Sequence, residues 1–578
     1  MALRHCPSRR AALALLAAAA AAAATAAAPP CSSIPASAPW IDCQLALPAL
    51  GALPATGAAF ATADAPTQAL FAHAEAAEAA NVVSFAPSFD VLVEGGGYGN
   101  VWLETQPMGG AYYAARNLTL AVNNQLIFTR TQRADGRLAG MVTTLGAGVV
   151  HPTYSYPGNA NHSMLQGFYM ASPAVDVACL LAAAGAPAAA SALLAELQPA
   201  LAKFNAWLWA ARNSSSGVLW LPGTADTGED NSDKYSPLPG DEIAPPFESM
   251  DMMGYAHDAE RALARIARIA GDAAGAAQWD ARAAATAAAL KANLWREELG
   301  ACFDRQRDNG RGFVTTLLHN NLRAMWAGAF DQGMADAFVA QHLMNRSEFW
   351  TPAPLPSIAA SDARFRNEAG NNWSGPSEGL TFLRAVRALS GYGHHAELLL
   401  AGAALKAALL KTGKFPQQIN PLTAQPDAGD GYGPMILALL ELQALTTGVA
   451  LRAEPGAGVT VYFSAVAVAG AAPAPAFTFS QRLGAAVFAA RGFGNGTFEG
   501  TLDGRLLFTC AGSARVATAA DGTVQRVVGA GAEASDVSLL LAGAGAVELR
   551  VAPNEEWVVA GGVAPALARR VPFTPPFS

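Results

Sequence analysis

Charge is scarce in this chain. Only 14% of its 578 residues are Asp, Glu, Lys or Arg, the net charge is -8, and no Lys/Arg cluster occurs beyond the first ten residues. Such a balance excludes the basic surfaces that neutralise nucleic-acid phosphates or anionic lipid, and favours a neutral or cationic small ligand. Histidine is equally sparse. His151, His162, His257, His319 and His342 show no ligand spacing with a second histidine, so neither a metal nor another cofactor is expected. His394 and His395 precede a helix and read as surface or capping residues. Six cysteines are too few for a disulfide scaffold. Cys31 and Cys43 lie close together and could pair, whereas Cys179, Cys302 and Cys510 sit in apolar contexts and read as buried hydrophobes.

What is plentiful is small and apolar. Hydrophobic residues make up 52%, with 55 Gly and 36 Pro, a globular composition without the charge of a disordered chain. The length exceeds the ~250–300 residues at which one core stops growing, so at least two domains are expected. At the N-terminus Arg4, Arg9 and Arg10 precede the apolar run Ala11 to Ala24, followed by small residues up to Pro29. That order describes a signal peptide over residues 1–28, cut near Ala28, and hence a secreted or secretory-pathway protein. An uncleaved anchor is the alternative, but alanine partitions weakly into a bilayer, and no later stretch reads as a stable membrane span. Asn-x-Ser/Thr acceptors at Asn117, Asn161, Asn213, Asn345, Asn372 and Asn495 suit that route. Asn372 lies too close to a functional stretch to carry a glycan.

Residues 29–99 are Ala/Pro-rich and give few periodic signals, which reads as an irregular segment. From residue 100 to 448, apolar residues recur at helical spacing. The helices predicted are Ala115 to Arg130, Pro173 to Ala184, Ala190 to Arg212, Ser249 to Ala270, Ala274 to Trp295, Val314 to Ala327, Gln332 to Leu343, Ser377 to Leu389, His394 to Lys411 and Gly433 to Thr446. Paired antiparallel helices are their natural packing, with the long connections Trp220–Phe247 and Phe349–Gly375 at one mouth. After Glu454 short alternating runs split by Gly turns, from Val459–Val468 to Val537–Leu541, indicate a small β-sandwich over 455–578. The joint is expected near Gly448–Gly456.

The loop after Trp220 concentrates chemistry. It places Asp226, Glu229, Asp230 and Asp233 within eight positions, bracketed by Trp220 and Tyr235. Cleaving a glycosidic bond needs one protonated carboxyl beside the leaving oxygen and a second carboxylate for water or the anomeric carbon. A solvated acidic turn is the competing interpretation, and the spacing does not match an EF-hand calcium loop.

The motif Asp226-Thr227-Gly228-Glu229-Asp230-Asn231-Ser232 resembles the Glu-Ser-Gly-x-Asp-Asn-Ser element of family 63 glycoside hydrolases, which include mannosylglycerate hydrolase and processing α-glucosidases. Phe247-Glu248-Ser249-Met250-Asp251, Leu294-Trp295-Arg296-Glu297 with Phe303-Asp304, Trp373-Ser374-Gly375-Pro376 and Asn420-Pro421-Leu422-Thr423 resemble further elements of that family, in family order. The resemblance implies a mainly α chain, an (α/α)6 toroid with the small C-terminal β-sandwich appended. It further implies a glycosidase that cleaves an α-linked glycoside or oligosaccharide with inversion, and Asp230 as general acid. The family's general base stands four residues before the proline of Asn-Pro, where this chain has Gln417, followed by Gln418. An amide cannot accept a proton from water, so Glu378 or Glu104 is the expected substitute. Asp427 and Asp430, at a Gly-rich helix start, are expected to cap it. Trp102, Asp226, Asn231, Tyr235, Trp373, Gln417 and Gln418 are the expected sugar-binding residues, the rings by stacking. The expected partner is a small carbohydrate or glycoside. The alternative, prompted by Gln417, is a catalytically weak carbohydrate-binding protein on the same fold.

Overall fold

The computed structural model describes residues 28–47, 51–229, 231–235, 246–307, 312–454, 458–469, 473–543, 545–559 and 564–578. The expected leader, but for its last residue, and Asp230 lie outside the described residues. No described helix is long and apolar enough to cross a membrane.

Twelve α-helices occur among the described residues. The first six are α1 (Ala65–Ala80), α2 (Gln106–Tyr113), α3 (Leu118–Arg130), α4 (Ala171–Ala183), α5 (Pro187–Arg212) and α6 (Met250–Ile269). The rest are α7 (Ala273–Leu294), α8 (Asn320–Trp326), α9 (Gln332–Phe338), α10 (Gly379–Gly391), α11 (His395–Leu410) and α12 (Gly433–Thr446). The even-numbered helices touch in succession, and α12 returns to α2, closing an inner ring. Outside it α3, α5, α7 and α11 each pack on the inner helix before them, and α1 packs on α12. The sequence explains the assignment to layers. The inner α12 is apolar all round and buried from Gly433 to Leu445, whereas the outer α7 buries only a stripe at Ala276, Ala283, Thr286, Leu290 and Leu294.

Inner helices pass to outer ones through short turns such as 184–186, 270–272 and 392–394. Every return from an outer to an inner helix is long, as over 131–170, 213–249 and 344–378. All the long connections therefore gather at one mouth, where the inner helices begin. There Asn231 Nδ2 donates to the Asn371 carbonyl (3.0 Å), and the Asp233 amide donates to Ser374 Oγ (2.8 Å).

Past α12 the chain runs directly into a strand, Thr447–Ala453, so the β region starts at Thr447 without a linker and earlier than expected. It comprises a six-stranded sheet and a seven-stranded sheet, both antiparallel. Strand Phe477–Leu483 shows the alternation behind it: Phe477, Phe479, Gln481 and Leu483 face inward. The edge of the seven-stranded sheet is Thr56–Thr62, paired with Phe477–Leu483. Residues 29–99, expected to be irregular, thus supply that strand, helix α1 and the hairpin Val82–Ala86 with Phe89–Leu92. Their Ala/Gly-rich sequence hides both periods, and partners far along the chain settle the conformation. Cys31 and Cys43 form a disulfide, and Cys179, Cys302 and Cys510 are buried.

Candidate active site

The first turns of the inner helices define the site. Glu104 and Gln106 open α2, Asp251 lies in the first turn of α6, His319 and Asn320 start α8, Glu378 is the N-cap of α10, and Tyr432 that of α12. Helix N-termini carry partial positive charge and free N–H groups, so this mouth favours anionic side chains.

Loop residues 224–229 and 231–235 are pinned over it by Glu229. This buried carboxylate accepts from His319 Nε2 (2.8 Å), Asn320 Nδ2 (3.2 Å) and Thr227 Oγ1 (3.2 Å), and pairs with Arg323 (2.9 Å) and Lys234. Burial alone would raise its pKa, but Arg323, Lys234 and His319 together hold it well below the usual carboxylate range. Burial pushes the His319 imidazole down to about 4, so it is neutral. Because ionised Glu229 only accepts, the imidazole proton sits on Nε2, and Nδ1 accepts from Thr381 Oγ1 (2.9 Å). Burial raises Asp251, which accepts from Asn320 Nδ2 (2.6 Å).

Glu104 lies directly under the loop. A side-chain carbon added to Gly228 would fall 1.9 Å from its Oε2, and Gly228 has φ +75°, so only glycine fits there. Glu104 Oε1 accepts from Gln166 Nε2 (3.2 Å), and the Arg384 guanidinium stands 3.5 Å from Oε2. Glu378 contrasts with it: fully buried, it has no hydrogen-bond partner for either carboxyl oxygen among the described residues. Burial, then the charges of Asp427, Glu104 and Glu94, raise its pKa well above the usual range. Its ionised form is disfavoured at that position.

At the surface of the mouth, Gln417 accepts from Tyr98 OH (3.0 Å) and donates to Asn371 Oδ1 (2.8 Å). The exposed Asn231 reaches Asn371 from the other side, so the two residues flanking Asp230 differ: Glu229 is anchored below and Asn231 faces outward.

Residues 111–433, more than half of the chain, match the mannosylglycerate hydrolase MGH1-like glycoside hydrolase domain. The chain belongs to that family. This MGH1-like glycosidase resembles the GH63 mannosylglycerate hydrolase from Thermus thermophilus in complex with glucose, with TM-score 0.51 and 18% identity over 64% of this chain and 99% of that one. It also resembles the neutral trehalase Nth1 from Saccharomyces cerevisiae, with TM-score 0.51 and 13% identity over 65% and 80% of the two chains. These likenesses show a shared fold, a helical toroid to which the MGH1-like chain adds its β region. No curated protein sequence matches it.

Within this MGH1-like site the structure sorts the expected residues by burial. Asp226 is fully buried, accepting from Ser163 Oγ (2.8 Å) and the Leu165 amide (2.9 Å) and pairing with Arg212 (3.1 Å), so its carboxylate holds the loop and offers no face to sugar. Tyr235 stacks on Phe247 at 4.2 Å and donates its hydroxyl to Asp304. Trp373 is buried against His319 and Arg323, and Trp102 packs with Met141 and Met164, so neither is an exposed stacking platform. Gln418 is spent on the Asn372 amide, the Glu368 carbonyl and Asp427. Asp427 and Asp430 brace loops, bonding Gln418 and the Phe415 amide (2.9 Å), and neither caps α12. Asn372 is itself buried. Sequence reasoning missed Tyr98, His319, Asn320, Arg323 and Lys234. The Gly95-Gly96-Gly97-Tyr98-Gly99 run was a signal for the first; the others carry none without the fold.

Proposed function

We propose that the protein hydrolyses an α-linked glycoside or oligosaccharide by direct displacement with inversion, Asp230 giving its proton to the leaving oxygen. The observation that carries this reading is the contact between Gly228 and the Glu104 carboxylate. Asp230 follows Gly228 by two residues, a chain reach of about 7 Å. That closeness along the chain supports Glu104 as the second carboxylate of an inverting pair. Glu104 is favoured as general base over Glu378, because the Arg384 guanidinium beside Glu104 favours its carboxylate form, whereas burial and neighbouring carboxylates disfavour the ionised form of Glu378. The Cys31–Cys43 disulfide, together with the leader-like N-terminus, supports action in the secretory route or outside the cell.

The second reading, a weakly active sugar-binding protein, is favoured by the Gln417 amide where the family has its base. A release assay over α-glucosides, α-mannosides, mannosylglycerate and trehalose separates the two. The enzyme reading predicts turnover on at least one of them, lowered on the order of 10²–10⁴ by Glu104→Gln and less by Glu378→Gln. Sugar binding without turnover on any would favour the second.

A further inference from the structure

At the opposite end of the toroid, between the C-terminal halves of the inner helices and the β region, lies a cavity of about 870 Å³. Arginines scattered through the sequence meet there. Arg261, Arg265 and Arg387 come from α6 and α10, and Arg515, Arg526 and Arg569 from the β region. Carboxylates are fewer and shared: Asp176 serves both Arg265 and Arg387, and Glu556 serves both Arg526 and Arg569. Among the described residues Arg261 and Arg515 have no carboxylate within ion-pair distance, and Arg261 has no hydrogen-bond acceptor. Arg261 is given its place by Gly328, where an added side-chain carbon would lie 1.8 Å from its Nη1. Two buried donors in the lining, Arg515 Nε and Trp326 Nε1, have no partner either. Burial brings the Arg515 guanidinium down to about 10 and also lowers Arg261, where Arg387 adds repulsion. A bound anion would relieve all of these.

We propose that this cavity is a second ligand site, separate from the glycosidase mouth, and that it binds a small phosphate-bearing molecule. Guanidiniums approaching from both bodies suit a tetrahedral dianion, which accepts hydrogen bonds in several directions, better than a flat carboxylate that fills one fork. The rings of Tyr112, Trp326, Tyr392 and Tyr462 in the lining give room and apolar faces for an organic body. Low overall basic content hid this site, since no two of its arginines from different bodies are close in sequence.

The test is calorimetric titration of the mature chain with inorganic phosphate, glucose 6-phosphate, citrate and glucose. Both phosphate probes should bind, more weakly at high salt; tighter binding of glucose 6-phosphate would identify an ester as the ligand, and equal binding free phosphate. Arg261→Gln, at a side chain with no hydrogen-bond acceptor among the described residues, should weaken phosphate binding at least tenfold, as should Arg526→Gln if the first variant folds poorly. Asp230→Asn should leave it unchanged. The proposal fails if neither phosphate probe binds, if citrate binds more tightly than both, if both arginine variants bind as the parent does, or if glucose or Asp230→Asn abolishes binding.

Discussion

Gly228 and Glu104 show how much one missing side chain can decide. The left-handed backbone at Gly228 and the carboxylate packed on its Cα are both intolerant of a β-carbon. Gly228→Ala should therefore lose on the order of 1–3 kcal/mol of stability and most of the hydrolytic activity, read by urea denaturation and sugar release. Wild-type values on both would show that Glu104 does not support the loop. The motif around Gly228 was legible in sequence, but the direction of each carboxylate was not. In an irregular loop no period assigns Asp226 and Glu229 inward, and two of the cations that hold them, Arg212 and Arg323, come from separate stretches. The expected stacking roles of Trp373, Trp102 and Tyr235 failed for the same reason, since an aromatic residue in a loop reads alike whether it faces solvent or core.

Among the elements, helices with mixed apolar and polar faces were legible to within a few residues, because burial against a ring imposes a 3.6-residue stripe, except that α8 starts at Asn320 and not at Val314 as expected. Helices α1 and α2 were not. Alanine blurs the faces of α1, and Pro107, Gly109 and Gly110 make α2 read as a loop. Helix α1 carries a testable charge. Its Glu78 is fully buried, holds the Asn81 amide at 3.1 Å, and is pushed by burial from the usual 4.5 up to about 8. Between those values the folded chain keeps a proton that the unfolded chain has released. Stability should therefore be greatest below 4.5 and fall as pH rises towards 8, on the order of 1 kcal/mol per pH unit from this group. Glu78→Gln should flatten that slope in urea denaturation at about pH 5 and about pH 8. An unchanged slope would mean that Glu78 is ionised in the folded protein.

At the scale of the whole molecule, toroid and β region are bound by the chain's own path. Strand Thr56–Thr62 pairs with Phe477–Leu483, and Asn554 joins the start of α11 through Glu397 (2.8 Å) and the Ala396 amide (2.8 Å). Removing residues 29–62 should expose the edge of the seven-stranded sheet and make 477–551 sensitive to protease while leaving the helices folded. Unchanged resistance would show that the N-terminal strand is dispensable. The account's central claim, hydrolysis of an α-linked sugar with inversion and with Asp230 as the proton donor, is tested most directly by proton NMR of the first product formed by the mature chain and by Asp230→Asn. The account predicts that the β-anomer appears first and that the variant is slower on the order of 10²–10⁴. An α-anomer appearing first, or an Asp230→Asn variant with undiminished turnover, would contradict it.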